Sequence, residues 1–386
     1  MRDQNDHISN ALLWITNRLN QVTGGDGKHT WWLAPAVLGA IFVYLASITV
    51  PLEMLPQNSY YNLLTDAFLT GTLALPVDPS PELLALKDPY DPGANGPFRL
   101  HDVALYNGKY YLYHGLTPAL LLFGPAKLFL GITINQSTAV WLFVSAGLIA
   151  ATWCLFILLR IGTTDRPTWL MLAGIVALGL SNAGPFMLVR PDVYEVAISC
   201  GYFLNMTFLA LALLASLSPG TPRGGRLVAF AGLCLGLAVG ARPNSIVLAP
   251  LLTAVAWAHV HSLGHRTLSR GFIACLFPLL VPFGICILTI MLYNYLRFDD
   301  CLQFGPRYLL MANHPRAQAF FRFDTLFERL GRYLLAPPGL EAQFPFVYLP
   351  HGSHFGEPDV GAVWMAPIII LVGCWGAAVA FNRRAA

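Results

Sequence analysis

The chain has 386 residues, of which 56% are hydrophobic and only 11% charged. Soluble domains carry about 25% charged residues, so a fully solvated surface is excluded. A net charge of +3, with no basic stripe interleaved with aromatics, also excludes a nucleic-acid-binding protein. The apolar residues fall in blocks of about 20, the length that crosses a bilayer core as helix. Lipid offers no partner for free backbone groups, so such blocks must be helical. The expected fold is all-α: a polytopic transmembrane helical bundle with two long outer loops carrying short juxtamembrane helices.

Residues 1–30 are polar and show no cleavable signal peptide. Ile8, Leu12, Leu13, Ile15 and Leu19 lie near helical spacing, which predicts a cytoplasmic amphipathic segment on the membrane surface. A disordered tail is the competing expectation. From residue 31 to 386 the chain reads as a single transmembrane domain. Its candidate spans are Trp31–Val50, Thr117–Ile132, Thr138–Leu159, Thr168–Val189, Val193–Leu217, Leu227–Ala241, Ser245–Val260, Phe272–Leu296 and Val363–Phe381. Arg242-Pro243-Asn244 divides two of these blocks, as a tip between two short helices or as a break in one.

Seven carboxylates lie from Glu53 to Asp102 and seven more from Asp299 to Asp359, with only Asp165, Asp192 and Glu195 between. The acid chemistry therefore sits in two loops, about 51–116 and 297–362. Arg2, Arg18, Lys28, Arg223, Arg226, Arg266, Arg270, Arg383 and Arg384 flank the other span ends, and the positive-inside rule places those ends in the cytoplasm. The two loops, Arg190–Glu195 and the Arg242 tip are then outside. Arg160 and Arg166 conflict with this if both segments over 117–159 cross fully. One of the two is expected to be re-entrant or surface-lying.

The first outer loop opens with a helical pattern over Tyr60–Leu75, which Gly71 is placed to stop. Asp88 and Asp91, in DPYDPG, read as turn formers. Asn107-Gly108 within DVALYNGKYYLYH predicts a hairpin, and His114 at its end is a candidate substrate-binding residue. Lys109 follows that turn just before an apolar block, where a cation can hold a phosphate. Asp102, seven residues earlier, is a candidate general base. Asp66 lies on the loop helix and reads as a solvated residue. Arg190 and Arg242 sit at tips of apolar segments, where arginine usually faces a polar cavity or a partner. Asp192 and Glu195 are near enough to pair with Arg190, and the alternative is a cluster gripping an anionic headgroup. In the second loop Arg297, Arg307, Tyr308, Arg316, Arg322, Arg329 and Arg332 suit anionic lipid or pyrophosphate, or ion pairs with the loop's own carboxylates. His351 and His354 are weak evidence for a metal. The seven cysteines are unclustered, with no CxxC spacing, and suggest neither zinc nor a disulfide framework.

These motifs resemble the integral membrane glycosyltransferases of the GT-C superfamily, in its protein mannosyltransferase and aminoarabinose transferase branches. YYNLLTDAFLTGTLALP is similar to the family's loop helix. YNGKYYLYHGLTPALLLF resembles its Gly-Lys element leading into the second span, and GLAVGARPNSIVLAPLL its basic-tipped apolar pair. The resemblance covers about residues 1–300. It implies transfer of a sugar from a polyprenyl-phosphate donor to an acceptor at the outer face, with an outer-loop carboxylate as base and Lys109 on the donor phosphate. The family's acidic pair falls near Pro56-Gln57 here, and neither residue is acidic. The base role then passes to Glu53, Asp66 or Asp102, with Asp102 favoured as closest in sequence to Lys109. The implied partners are the lipid-linked donor and membrane lipid. A divalent cation is left open, and the location is a bacterial inner membrane. The alternatives are a transporter or flippase of lipid-linked or anionic sugar, and a non-catalytic envelope-polymer assembly protein.

Overall fold

The computed structural model describes residues 33–50, 59–162, 168–265, 267, 269–311, 326–340, 342, 347–348 and 360–365. Among them, six helical segments are long and apolar enough to cross a membrane: Gln136–Ile161, Thr168–Val189, Val193–Ser216, Pro222–Ala241, Pro243–His261 and Arg270–Phe298. The chain is an integral membrane protein built as an all-α polytopic bundle. The expected amphipathic segment at 1–30, Glu53, Arg316, Arg322, His351, His354 and the span beyond Met365 lie outside the described residues.

In chain order, helix α1 is Leu33–Ile48, and the loop helices α2, α3 and α4 are Tyr60–Leu69, Pro81–Leu84 and Pro92–Asn95. Strands β1 (Val103–Tyr106) and β2 (Lys109–Leu112) pair antiparallel. Both turn residues, Asn107 at φ 48° and Gly108 at φ 69°, are left-handed, as a two-residue hairpin turn requires. The Asp88 and Asp91 carboxylates accept the Tyr90 and Gly93 N–H groups, each at 3.0 Å, so both do form turns. The loop is not a tether. Its Tyr61, Leu64, Leu105 and Leu112 share one buried core with Leu45, Val140, Leu148, Val196 and Leu204 of the helices.

The block predicted as a span over Thr117–Ile132 is instead a π-turn, Ala119–Phe123, continued by α5, Gly124–Leu130. Gly131, left-handed at φ 66°, ends it. Residues Ala119–Leu130 rise only about 18 Å at 1.5 Å per residue, short of the roughly 30 Å hydrocarbon core. If this short apolar helix does not cross, the conflict in orientation disappears. The chain then enters α6, Gln136–Gly162, from the same face as the first outer loop, and Arg160 falls on the opposite face with Arg223, Arg226 and Arg270.

Helix α7 (Thr168–Leu180) and α8 (Gly184–Val189) return, broken at Ser181–Ala183, where the Asn182 side chain accepts the Gly184 N–H at 2.6 Å. Helix α9 (Val193–Ser216) packs between α6 and α10 (Pro222–Ala241), and α10 packs on α12 (Arg270–Phe298). Of the two expectations for Arg242–Asn244, the tip is correct. Helix α10 ends at Ala241, and a 3-10 turn, Pro243–Leu248, starts α11, Ala249–His261. One face thus gathers the N-terminus of α9, the C-termini of α10 and α12, and the hairpin.

The chain has two compact units, one ending at Ala317 and the other beginning at Gln318. In the second unit, α13 (Leu326–Leu335) is amphipathic, with an exposed Arg332–Glu328 pair at 3.0 Å. It is a short helix of the kind expected in the second outer loop. A two-residue strand pair, Gly339–Leu340 with Val347–Tyr348, and α14, Ala362–Met365, are the other described elements of that unit.

Candidate active site

Asp102 stands at the base of the hairpin with φ 58°, a left-handed backbone in which Asp is enriched over most residues. Two hydrogen bonds hold it there. Its N–H donates to the Leu310 carbonyl at 2.9 Å, and the Leu310 N–H returns to Val103 O at 2.9 Å. The residues after α12 therefore lie along β1 as a third edge. One residue earlier, the Tyr60 hydroxyl of α2 donates to His101 O at 2.6 Å. Non-glycine residues in such conformations persist where the surroundings over-determine them, and they cluster at functional sites.

The Asp102 carboxylate is only 17% exposed. The Tyr194 side chain lies near enough to act on it. Burial pushes this carboxyl above its ordinary range, as does Asp192, against the opposing pull of His101 at 3.6 Å, Tyr194 and Arg99. A carboxylate so raised is a stronger base than an exposed one.

Tyr194 is fixed by the start of α9. Asp192 accepts the Val193 N–H at 2.7 Å, and Glu195 accepts the Asp192 N–H at 3.2 Å, a capping box. Arg190 acts electrostatically on Glu195. Glu195, expected to bind substrate, therefore builds the helix terminus that carries Tyr194. That terminus turns the positive end of the helix dipole toward the capping carboxylates of Asp192 and Glu195.

The Tyr194 ring meets His114 at 4.4 Å between centroids, and His114 meets Tyr113 at 5.0 Å. Beyond them opens a cleft of about 50 Å³ whose lining includes Tyr113, His114, Arg242, Tyr293, Asn294 and Arg297. Gly115 also lines it. A Cβ there would run into the Gly240 and Ala241 carbonyls, so only glycine lets the hairpin's exit abut the end of α10. Arg297, 4% exposed, is held by three of its N–H groups. They reach Tyr293 O at 3.4 Å, Leu112 O at 2.7 Å and Asn294 Oδ1 at 2.7 Å. Its guanidinium lies over the Tyr293 ring at 3.8 Å. Arg242 lies near enough to act on Tyr113, His114 and Tyr194. Burial and that arginine push the His114 imidazole down to about 3. Among the described residues no carboxylate pairs with Arg242 or Arg297, and none lines the cleft.

The structure brings Arg242 near His114, and places Asp102 and Arg242 each within electrostatic reach of Tyr113 and Tyr194. It does not bring Lys109 there. Lys109 pairs with Tyr106 at the hairpin tip, four residues along β1 from Asp102, about 13 Å at the strand rise. Asp66 is tied to Lys127 of α5. Arg307 is exposed. Tyr308 belongs to an aromatic cluster with Tyr106 at 4.7 Å and Phe298 at 5.5 Å. The Tyr106 hydroxyl donates to Asp299 at 2.9 Å.

Sequence reasoning missed Tyr194, Tyr293 and Asn294, and it counted Arg297 among loop arginines. The signal was present in YNYLR, where Arg297 continues the phase of an apolar helix instead of leaving it. Tyr194 is a lone tyrosine two residues past an Asp cap, and nothing local marks it. No protein family, curated protein or solved structure matches the chain.

Proposed function

We propose that this protein is a membrane glycosyltransferase of GT-C type, acting at the outer face of a bacterial inner membrane on a polyprenyl-phosphate-linked sugar. The observation that carries the proposal is the placement of Asp102, largely buried, and Arg242, a cation that has no counter-ion among the described residues, each within electrostatic reach of Tyr113 and Tyr194. Arginine at membrane depth is costly without an anion, and a lipid-linked phosphate would supply one.

In this mechanism the acceptor hydroxyl loses its proton to Asp102 as its oxygen bonds to the anomeric carbon. The carbon–oxygen bond to phosphate breaks, and the electron pair leaves with the phosphate oxygen. Arg242 stabilises the charge that develops there, which lowers the barrier only as far as it binds the transition state more tightly than the donor. Tyr194, between the two, orients the carboxylate. Lys109, exposed at the hairpin tip beside aromatic side chains, serves capture of the anionic donor at the headgroup level.

The experiment is transfer by purified protein in lipid with a set of polyprenyl-phosphate sugars. The parent is expected to transfer sugar, and Asp102→Asn and Arg242→Gln are expected to lose that activity while remaining folded. Failure of the parent with every donor overturns the proposal in favour of a flippase or an assembly protein.

A further inference from the structure

Four polar groups converge in the cleft between the end of α10 and the end of α12 without their full complement of partners. Both ring nitrogens of His114 and the Tyr293 hydroxyl are buried with no hydrogen bond. Arg242 has no ion pair among the described residues, and Arg297 engages three of the five N–H groups a guanidinium carries. All four can donate, so the missing ligand is an acceptor.

Its charge follows from the lining. Two arginines and no carboxylate face about 50 Å³ in a largely apolar wall. Arg297 is buried and Arg242 partly so; buried charge without compensation is costly, and a monoanion would balance only one of the two. The volume suits a few water-sized groups, hence a tetrahedral oxyanion and not a sugar ring.

We propose that this cleft binds a phosphoryl group as its dianion, with Arg242 and Arg297 balancing the two charges and Tyr293 and His114 donating to its oxygens. A phosphate diester carries one charge, whereas the monoester released when its sugar departs carries nearly two. The cleft therefore fits the leaving group better than the intact donor. This last step rests on the transferase proposal, while binding of the dianion does not.

The test measures binding to the full chain in nanodiscs of zwitterionic lipid. The probes are a short-chain prenyl monophosphate, its methyl diester and inorganic phosphate. The monophosphate is expected to bind at least roughly tenfold more tightly than the diester, the discrimination worth one lost charge-assisted contact. Its affinity should rise about tenfold from pH 5 to pH 7, because the second ionisation of a phosphate monoester lies near 6. His114, pushed down to about 3 by burial and Arg242, does not titrate in that window, and repeating the pH series in Asp102→Asn removes the neighbouring carboxyl that burial raises. Displacement of the lipid by inorganic phosphate would identify free phosphate as a ligand too, and a lack of displacement would restrict the cleft to the lipid headgroup. Both results keep the dianion.

Arg297→Gln risks the fold, since Arg297 holds Leu112 O. Tyr293→Phe removes only an unpartnered hydroxyl, so it should leave the melting temperature unchanged or raised and weaken monophosphate binding by roughly fivefold or more. Equal binding of monoester and diester, a flat pH profile, or unchanged affinity in Tyr293→Phe would each overturn the assignment. Asp102→Asn separates the two proposals, because monophosphate binding should persist in it. If no donor supports transfer yet the monophosphate still binds through Tyr293, the transferase proposal falls and the dianion site stands.

Discussion

At the scale of single residues, Asp102 is held in a left-handed backbone, at φ 58°. Asn tolerates the left-handed backbone as well as Asp does, so Asp102→Asn tests the charge with little change in conformation. Turnover should fall by about 10²–10⁴, the range of general-base effects, while the fold remains intact. The pH dependence has a definite sign. Burial raises the folded carboxyl above its unfolded value, so its contribution to stability is present at low pH and lost as pH rises through the folded value. The melting temperature of Asp102→Asn relative to the parent should therefore rise with pH over that window. Transfer needs the ionised base, so kcat/KM should fall on the acid side with a midpoint above the usual carboxylate range. Lys109 tests the opposite case, a charge outside the site. Lys109→Ala should raise KM for a lipid-linked donor by roughly two- to fivefold at low salt, fading at high salt as screening removes steering, with kcat unchanged. A large loss of kcat would mean that the hairpin tip closes onto Asp102 during the reaction.

Elements decide whether these residues meet, and two turns carry most of that burden. The first is Gly115, where the hairpin's exit passes against the Gly240 and Ala241 carbonyls. Gly115→Ala must push the two apart, at a cost of about 1–3 kcal/mol by analogy with overpacked cores. It should lower the melting temperature and disable the cleft together. The second is the hairpin turn. Gly108→Ala places a Cβ at φ 69°, costing about 1–2 kcal/mol, but the site lies at the other end of the strands. A thermal shift with activity retained is expected there, in contrast to Gly115→Ala.

The same elements show what the sequence makes legible. Apolar block length sufficed for the helices from 136 to 298, and Asn-Gly sufficed for the hairpin, because both rest on local rules. The block over 117–132 misled because composition cannot distinguish a helix that crosses from one stopped by Gly131. Asp102, His114 and Arg242 were visible as types in exposed or tip positions. Their assembly was not, since it depends on Leu310 tying to Val103 and on the α9 cap carrying Tyr194 across to the hairpin. Sequence distance pointed to Lys109 as Asp102's partner, whereas the strand pairing separates the two along the hairpin.

For the whole molecule, the short helix Ala119–Leu130 fixes the orientation of everything after it. If it does not cross, the hairpin, the start of α6, the Arg242 tip and the end of α12 share one side. Arg160, Arg223, Arg226 and Arg270 then share the other, in keeping with the positive-inside rule. The site would face outward, where a lipid-linked donor can present its headgroup. Single cysteines in a background with native cysteines replaced by Ala test this with an impermeant maleimide on intact cells. Lys109→Cys and Thr133→Cys, both at exposed positions on either side of the short helix, should label from outside. Leu263→Cys, exposed in the turn after α11, should label only after the membrane is opened. Labelling of Lys109→Cys and Thr133→Cys from opposite sides would make Ala119–Leu130 a true span. It would reverse every later helix and place Asp102 across the membrane from the α9 terminus that holds its partner Tyr194. That geometry is incompatible with the contact between them, so the labelling pattern tests the topology and the assembly of the site together.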